Sequence, residues 1–248
     1  VRDKVAILIP ARRASTRLPD KLLLAETGQP LLLHTCRQAA QAFGAASVWV
    51  CADDAELVRI AQSGGYQARL TDPLHQSGTD RIAEVAAGLE AEILVNVQGD
   101  EPELDPQHIR LVVDVLRQHP DAGIATLATP ISAAEQLDPS AVKVLLGADD
   151  RALAFSRSPL PWDRDAGGPA ADGHRHLGLY AYRPQILLGY AGLPASRLER
   201  LERLEQLRAL EAGIAIVCAV VPQAAPGIDT RADYDAFCHR YATQESSP

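Results

Sequence analysis

The sequence predicts an α/β fold, with a mostly parallel central sheet, helices on both faces and a largely antiparallel insertion. Three observations predict it. Apolar runs of strand length alternate with helical patterns as far as residue 130, the rhythm of successive βα units. The runs at residues 5–10 and 93–95 are almost wholly apolar, as strands covered on both faces must be. Beyond Pro130, strand-like runs follow one another with no long helix between them, which suits antiparallel pairing.

Each element has its own justification. Residues 5–10 form a first buried strand. Residues 30–43 form a helix, with Pro30 in its first turn and Gly44 as its stop. Residues 47–52 are a second strand. A helix then opens at Asp53, with Glu56 three residues on in the manner of a capping box. Further strands are expected at residues 67–70, 92–97 and 123–128, and helices at 79–89 and 106–118. In the second half, residues 142–146, 152–155 and 176–182 are strands, and the Gly-, Ala- and Asp-rich stretch 165–173 is a mobile loop. A helix at 198–210, a strand at 215–220 and a helix at 231–241 complete the chain. The organisation expected is one compact domain: residues 1–130 as its α/β part, 131–195 as the insertion, and 196–248 returning to the main body.

Composition narrows the function. At 248 residues and 47% hydrophobic content the chain can bury a sizeable core. Its formal charge of −8 argues against a general nucleic-acid binder, which needs a basic footprint. The longest apolar run, residues 214–221, is too short to span a bilayer, and the run after Arg2, Asp3 and Lys4 is too short for a signal peptide. A cytoplasmic protein without a membrane partner is therefore expected. Cys36, Cys51, Cys218 and Cys238 lie far apart, with no metal-binding spacing, and are expected to be free thiols.

Two clusters carry chemistry. Residues 96–102 (NVQGDEP) follow the apolar run 93–95, so Asp100 and Glu101 stand at the carboxyl end of a strand, where open α/β sheets bind ligands. Adjacent carboxylates there can hold Mg²⁺, which takes oxygen ligands and keeps substrate phosphates beside them. Residues 10–21 (PARRASTRLPDK) put Arg12, Arg13, Arg17 and Lys21 in one loop of an acidic protein, and such a cluster calls for an anion. The loop is neither a Walker motif nor a dinucleotide fingerprint.

This segment resembles the nucleotide-binding motif of the 3-deoxy-manno-octulosonate (Kdo) cytidylyltransferases. Residues 75–81 (HQSGTDR), 96–102, 155–157 (FSR), 161–164 (PWDR), 175–180 (RHLGLY), 204–208 (LEQLR) and 226–230 (PGIDT) resemble further motifs of that family, in order. The resemblance implies a Rossmann-like nucleotidyltransferase fold. It also implies a reaction in lipopolysaccharide biosynthesis, in which CTP and Kdo give CMP-Kdo and pyrophosphate. On the same ground, Arg12, Arg17 and Lys21 are triphosphate ligands, and Asp100 and Asp229 hold Mg²⁺; these five form the catalytic set. Gln76, Ser77 and Gln98 fall near the nucleotide, although Ser77 or Thr79 would serve equally well as a plain helix cap. Gln98, Arg157, Arg164, His176, Tyr180, Glu205 and Gln206 fall on the sugar, with the arginine forks suited to its carboxylate. On a continuous helix at 198–210, Glu205 would point into the apolar sector, where a carboxylate needs partners. A homodimer is implied by the family alone.

Asp20 stands where the family usually has glycine, and its charge and Cβ are expected either to weaken the loop's hold on phosphate or to change its closure. Arg13 falls at a variable position and is given no catalytic role. The alternatives are the same reaction on 8-amino-Kdo or a sialic acid, and a metal-dependent glycosyltransferase of similar fold.

Overall fold

Strand β1 (Val5–Ala11) is buried almost throughout, as its unbroken apolar sequence requires. It pairs in parallel with β4 (Ile93–Asn96) on one side and β2 (Val48–Ala52) on the other, and β2 pairs in parallel with β3 (Gln67–Leu70). The registers set Val5 beside Ile93, Ile7 beside Val48 and Trp49 beside Gln67. Helices α1 (Leu31–Phe43), α2 (Ala55–Ser63) and α3 (Gly78–Ala86) pack on these strands through their apolar faces. Gly44, at φ 86, ends α1 as read from the sequence.

A computed structural model describes residues 4–15, 17–194 and 196–245 of the chain. They form two compact units, one running to Gln107 and resuming at Ala225, the other spanning His108–Ala224. Helix α4 (Pro106–Gln118) begins at the junction. In the second unit, β5 (Ile124–Pro130) pairs in parallel with β11 (Ile216–Val220) and antiparallel with β10 (His174–Tyr182). Strand β10 also pairs with β6 (Lys143–Leu146), and β6 with β7 (Ala152–Ser156), both antiparallel. Helix α9 (Arg231–Glu245) closes the first unit. The mixed α/β architecture and the antiparallel character of the later strands are those expected.

Three local expectations are corrected. The cap of α2 is Asp54, whose side chain accepts from the Glu56 amide at 2.7 Å; Asp53 instead accepts from the Arg13 amide at 2.9 Å. The stretch expected to be an open loop carries β9 (Gly168–Pro169), paired with β8 (Trp162–Asp163). The single helix expected at 198–210 is two, α7 (Arg197–Glu202) and α8 (Gln206–Glu211), broken where Arg203 adopts φ 55, ψ 45. Helices α5 (Ala133–Leu137) and α6 (Pro184–Tyr190) were not expected; both are short and carry little periodicity to read.

The break after α7 has a physical cause. Glu202 is the last residue of α7, and its carboxylate accepts from Ser156 Oγ at 2.7 Å and the Arg157 amide at 3.0 Å. Its carbonyl accepts from Arg157 Nε at 2.7 Å. The two short helices are tied instead by a two-pronged ion pair, Arg208 to Glu199 at 2.8 and 2.6 Å.

Candidate active site

The first unit gathers the phosphate-side residues where β1 ends. Chain reversal past β1 and β4 brings residues 12–21, 98–101 and 226–229 together. Gly99 makes this approach possible, because a Cβ there would stand 3.2 Å from the Pro10 carbonyl. The Gly99 carbonyl accepts from Thr35 Oγ1 on α1 at 3.0 Å, and the Asp100 carbonyl accepts from the Ile228 amide at 2.9 Å. A cavity of about 460 Å³ results, lined by Arg12, Arg17, Lys21, Gln98, Asp100 and Asp229 among others.

The charges inside it are arranged around Lys21. That side chain is 11% exposed, and its Nζ lies 2.5 Å from Asp100 Oδ2 and 3.7 Å from Asp229 Oδ1. It also donates to the Ile228 carbonyl at 2.6 Å. Arg17 is exposed and reaches Asp229 Oδ1 at 2.9 Å. Arg12 differs, since its buried Nη2 has no hydrogen-bond partner among the described residues. An orphaned guanidinium nitrogen is costly unless an anion completes it. The two aspartates converge on one cation, so the donor set fits a hard metal ion that takes its remaining ligands from phosphate and water. Among the described residues, no group of three or more His, Cys, Asp or Glu could hold a metal by itself.

Around this centre the expected residues divide. Gln98 lines the cavity and donates to Asn96 Oδ1 at 3.3 Å. Ser77 is the N-cap of α3, accepting from the Asp80 amide at 3.0 Å, so the plain capping role is present. Gln76 is exposed and bonds the Leu74 carbonyl at 2.8 Å. Sequence reasoning missed Asp233, which accepts from the amides of Asp229 and Thr230 at 3.1 and 2.7 Å and so fixes Asp229 at the start of α9. The Thr-x-x-Asp spacing of 230–233 was a legible cap signal. It also missed buried Arg81, which bonds Thr71 Oγ1 and whose guanidinium stands 3.7 Å from Asp53. Burial pushes the Glu101 carboxyl up to about 8, and the neighbouring Asp100 charge adds to the shift.

In the second unit the sugar-side residues have unequal freedom. Arg157 is engaged: Nε donates to the Glu202 carbonyl and Nη1 to the Pro139 carbonyl at 2.9 Å. Two of its guanidinium nitrogens are thus taken by backbone carbonyls. Arg164 is exposed, with no ion pair among the described residues. His176 packs edge-on to Phe155, ring centres 4.9 Å apart, and stands 5.3 Å from Tyr180. Thr126 donates its one hydroxyl proton to the Leu179 carbonyl at 2.8 Å, which leaves His176 Nε2–H to donate to Thr126 Oγ1 at 3.0 Å. Burial pushes His176 down to about 3, so the ring is neutral. Desolvation raises the Tyr180 phenol well above its usual range. Glu205 does not project from the middle of one helix, as expected, but stands in the break before α8, its carbonyl accepting from Tyr190 OH at 2.6 Å. Gln206, the first residue of α8, is buried.

Comparison with known proteins agrees with this chemistry. The family model described as cytidylyltransferase matches residues 6–216. A 3-deoxy-manno-octulosonate cytidylyltransferase of Rhodopirellula baltica is 49% identical over 97% of this chain and 100% of its own length. That of Escherichia coli is 44% identical over 93% of each chain. A solved structure of CMP:2-keto-3-deoxy-manno-octonic acid synthetase complexed with CTP superposes with a TM-score of 0.92 at 42% identity, covering 98% of this chain and 100% of that one. With relatives this similar along its length, and a cavity that holds Asp100 and Asp229 beside three cations, the chain belongs to the cytidylyltransferase family and, within it, to the 3-deoxy-manno-octulosonate cytidylyltransferases.

Proposed function

We propose that the chain catalyses CTP + Kdo → CMP-Kdo + pyrophosphate. The observation that carries this reading is Arg12, whose buried Nη2 lacks a partner among the described residues, in a cavity that also holds Arg17 and Lys21. A triphosphate supplies the missing acceptor, and three cations spread along it stabilise the charge that accumulates on the leaving pyrophosphate. Asp100 and Asp229 are the residues that would hold Mg²⁺, and Gln98 lines the same cavity. A bound Mg²⁺ acts as a Lewis acid on the phosphate and lowers the pKa of a sugar hydroxyl.

In the step itself, the sugar hydroxyl oxygen bonds to the α-phosphorus, the bond to the β-phosphate oxygen breaks, and the hydroxyl proton is released. No covalent enzyme intermediate is needed, since positioning and charge stabilisation suffice for this class of transfer. Arg164 is the arginine free to take the sugar's carboxylate. Neutral His176 and the Tyr180 phenol, which stays protonated, can hydrogen-bond uncharged sugar oxygens, with Glu205 and Gln206 as further polar partners. Gln76 and Ser77 are assigned to the nucleotide by the family resemblance; Ser77 also caps α3. A cytoplasmic homodimer is part of the same reading, supported by the family resemblance. Among the described residues, no helix is long and apolar enough to cross a membrane.

The test is pyrophosphate release from CTP and Mg²⁺ with Kdo, 8-amino-Kdo and a sialic acid compared side by side. Fastest turnover of Kdo is expected. Preference for another acid sugar would reassign the substrate, and no release with any of them would overturn the reading.

A further inference from the structure

Arg13 lies between two residues of the cavity, Arg12 and Ala14, yet does not line it. Its side chain turns to the opposite side of the loop and meets three carboxylates. Nε lies 3.2 Å from Asp20 Oδ1, and Nη1 lies 3.3 Å from Asp54 Oδ2 and 2.8 Å from Glu56 Oε2. Its amide donates to Asp53 Oδ1 at 2.9 Å. Asp54 and Glu56 belong to the rigid start of α2, where Asp54 is already committed through its other oxygen to the helix cap. Asp20 sits at φ 50, a left-handed conformation that aspartate tolerates better than most residues, directly before Lys21.

One guanidinium therefore joins both ends of the basic loop, residue 13 and residue 20, to the same helix terminus. Arg12, Arg17 and Lys21 all hang from the segment so tied. Without Arg13 the three carboxylates would repel one another and push Asp20 outward. We propose that Arg13 and Asp20 form a latch that pre-shapes the phosphate loop, making Arg13 a positioning residue for CTP. The proposal rests on the CTP reading above, and a loop shaped before binding loses less conformational freedom when the triphosphate arrives.

The test separates a latch from simple charge. Asp20→Asn removes a negative charge near a triphosphate site, so charge alone predicts a lower KM for CTP, whereas the latch predicts one about two- to threefold higher. Arg13→Lys keeps the charge but loses the fork, so charge alone predicts a parental KM and the latch a KM close to that of Arg13→Ala. Arg13→Ala should raise KM for CTP about fivefold with kcat within about twofold, and adding Asp20→Asn to it should change little. Amide hydrogen exchange in the ligand-free protein provides a readout independent of substrate. Exchange around Arg13 should rise several-fold in both Arg13→Ala and Asp20→Asn. Parental exchange in both variants, or a lowered KM in Asp20→Asn, overturns the latch. A parent enzyme that releases no pyrophosphate overturns the CTP reading alone, because the exchange result still decides whether the latch exists.

Discussion

Lys21 bonds one carboxylate and a carbonyl and stands 3.7 Å from a second carboxylate, while Arg12 has a buried nitrogen without a partner among the described residues. Lys21 thereby draws Asp100 and Asp229 towards one point. Replacing Asp100 or Asp229 by asparagine keeps shape but removes charge. Turnover should fall roughly hundredfold or more, about 2.7 kcal/mol of barrier, in a pyrophosphate assay with millimolar Mg²⁺. Near-parental rates would dismiss both as metal ligands. The two arginines of the second unit should also separate. Arg157→Lys loses bonds to the Glu202 and Pro139 carbonyls and should lower stability by about 1–2 kcal/mol. Arg164→Lys should leave the melting temperature unchanged and raise KM for Kdo several-fold, with KM for CTP constant. Loss of CTP affinity in Arg164→Lys would move that residue to the nucleotide.

At the level of elements, the break between α7 and α8 sets the direction of Glu205 and Gln206. Hydrophobic spacing alone could not reveal it, because leucines at 198, 201, 204, 207 and 210 are compatible with one continuous helix. The helix is interrupted where the Glu202 carbonyl accepts from Arg157 Nε and the left-handed Arg203 follows. Arg203 is exposed, and a non-glycine residue in that conformation carries a strain of about 1 kcal/mol. Arg203→Gly should therefore raise the melting temperature by roughly 2–4 °C, the shift expected for 1 kcal/mol at this size. A lower melting temperature would argue for an uninterrupted helix.

For the molecule as a whole, ligand and proton linkage give the tests. CTP binding only the folded state should stabilise it by about 2.7 kcal/mol at a hundredfold excess over Kd. Arg12→Ala should abolish most of that gain without lowering the melting temperature of the free protein, since the lost Nη2 has no partner there. A large loss in the free protein would make Arg12 structural. His176 supplies a pH signature. Its folded pKa, about 3, lies below the ordinary 6.5, so the unfolded chain binds the proton more readily. The stability it contributes is present above pH 6.5 and is lost as pH falls toward 3. Denaturant unfolding between pH 7 and 4 should fall less steeply for His176→Asn than for the parent, and equal slopes would refute a buried neutral ring.

The sequence by itself determined the strands of the main sheet, most of the longer helices and the order of the motifs, because burial writes its periodicity into neighbouring residues. It also marked a basic loop at residues 10–21 and carboxylates after the strand at 93–95, while the resemblance to a family picked out Arg12, Arg17, Lys21, Asp100 and Asp229. What only the tertiary structure decided is who meets whom. Lys21 and Asp100 are 79 positions apart and Lys21 and Ile228 are 207 apart, so no local pattern records their contact. Nothing local to either residue records that Asp20 pairs with Arg13 or that Arg157 is bonded to Glu202. Periodicity reports which face of an element is covered, but the partner of a polar side chain depends on which distant segments the fold brings within about 3 Å of it.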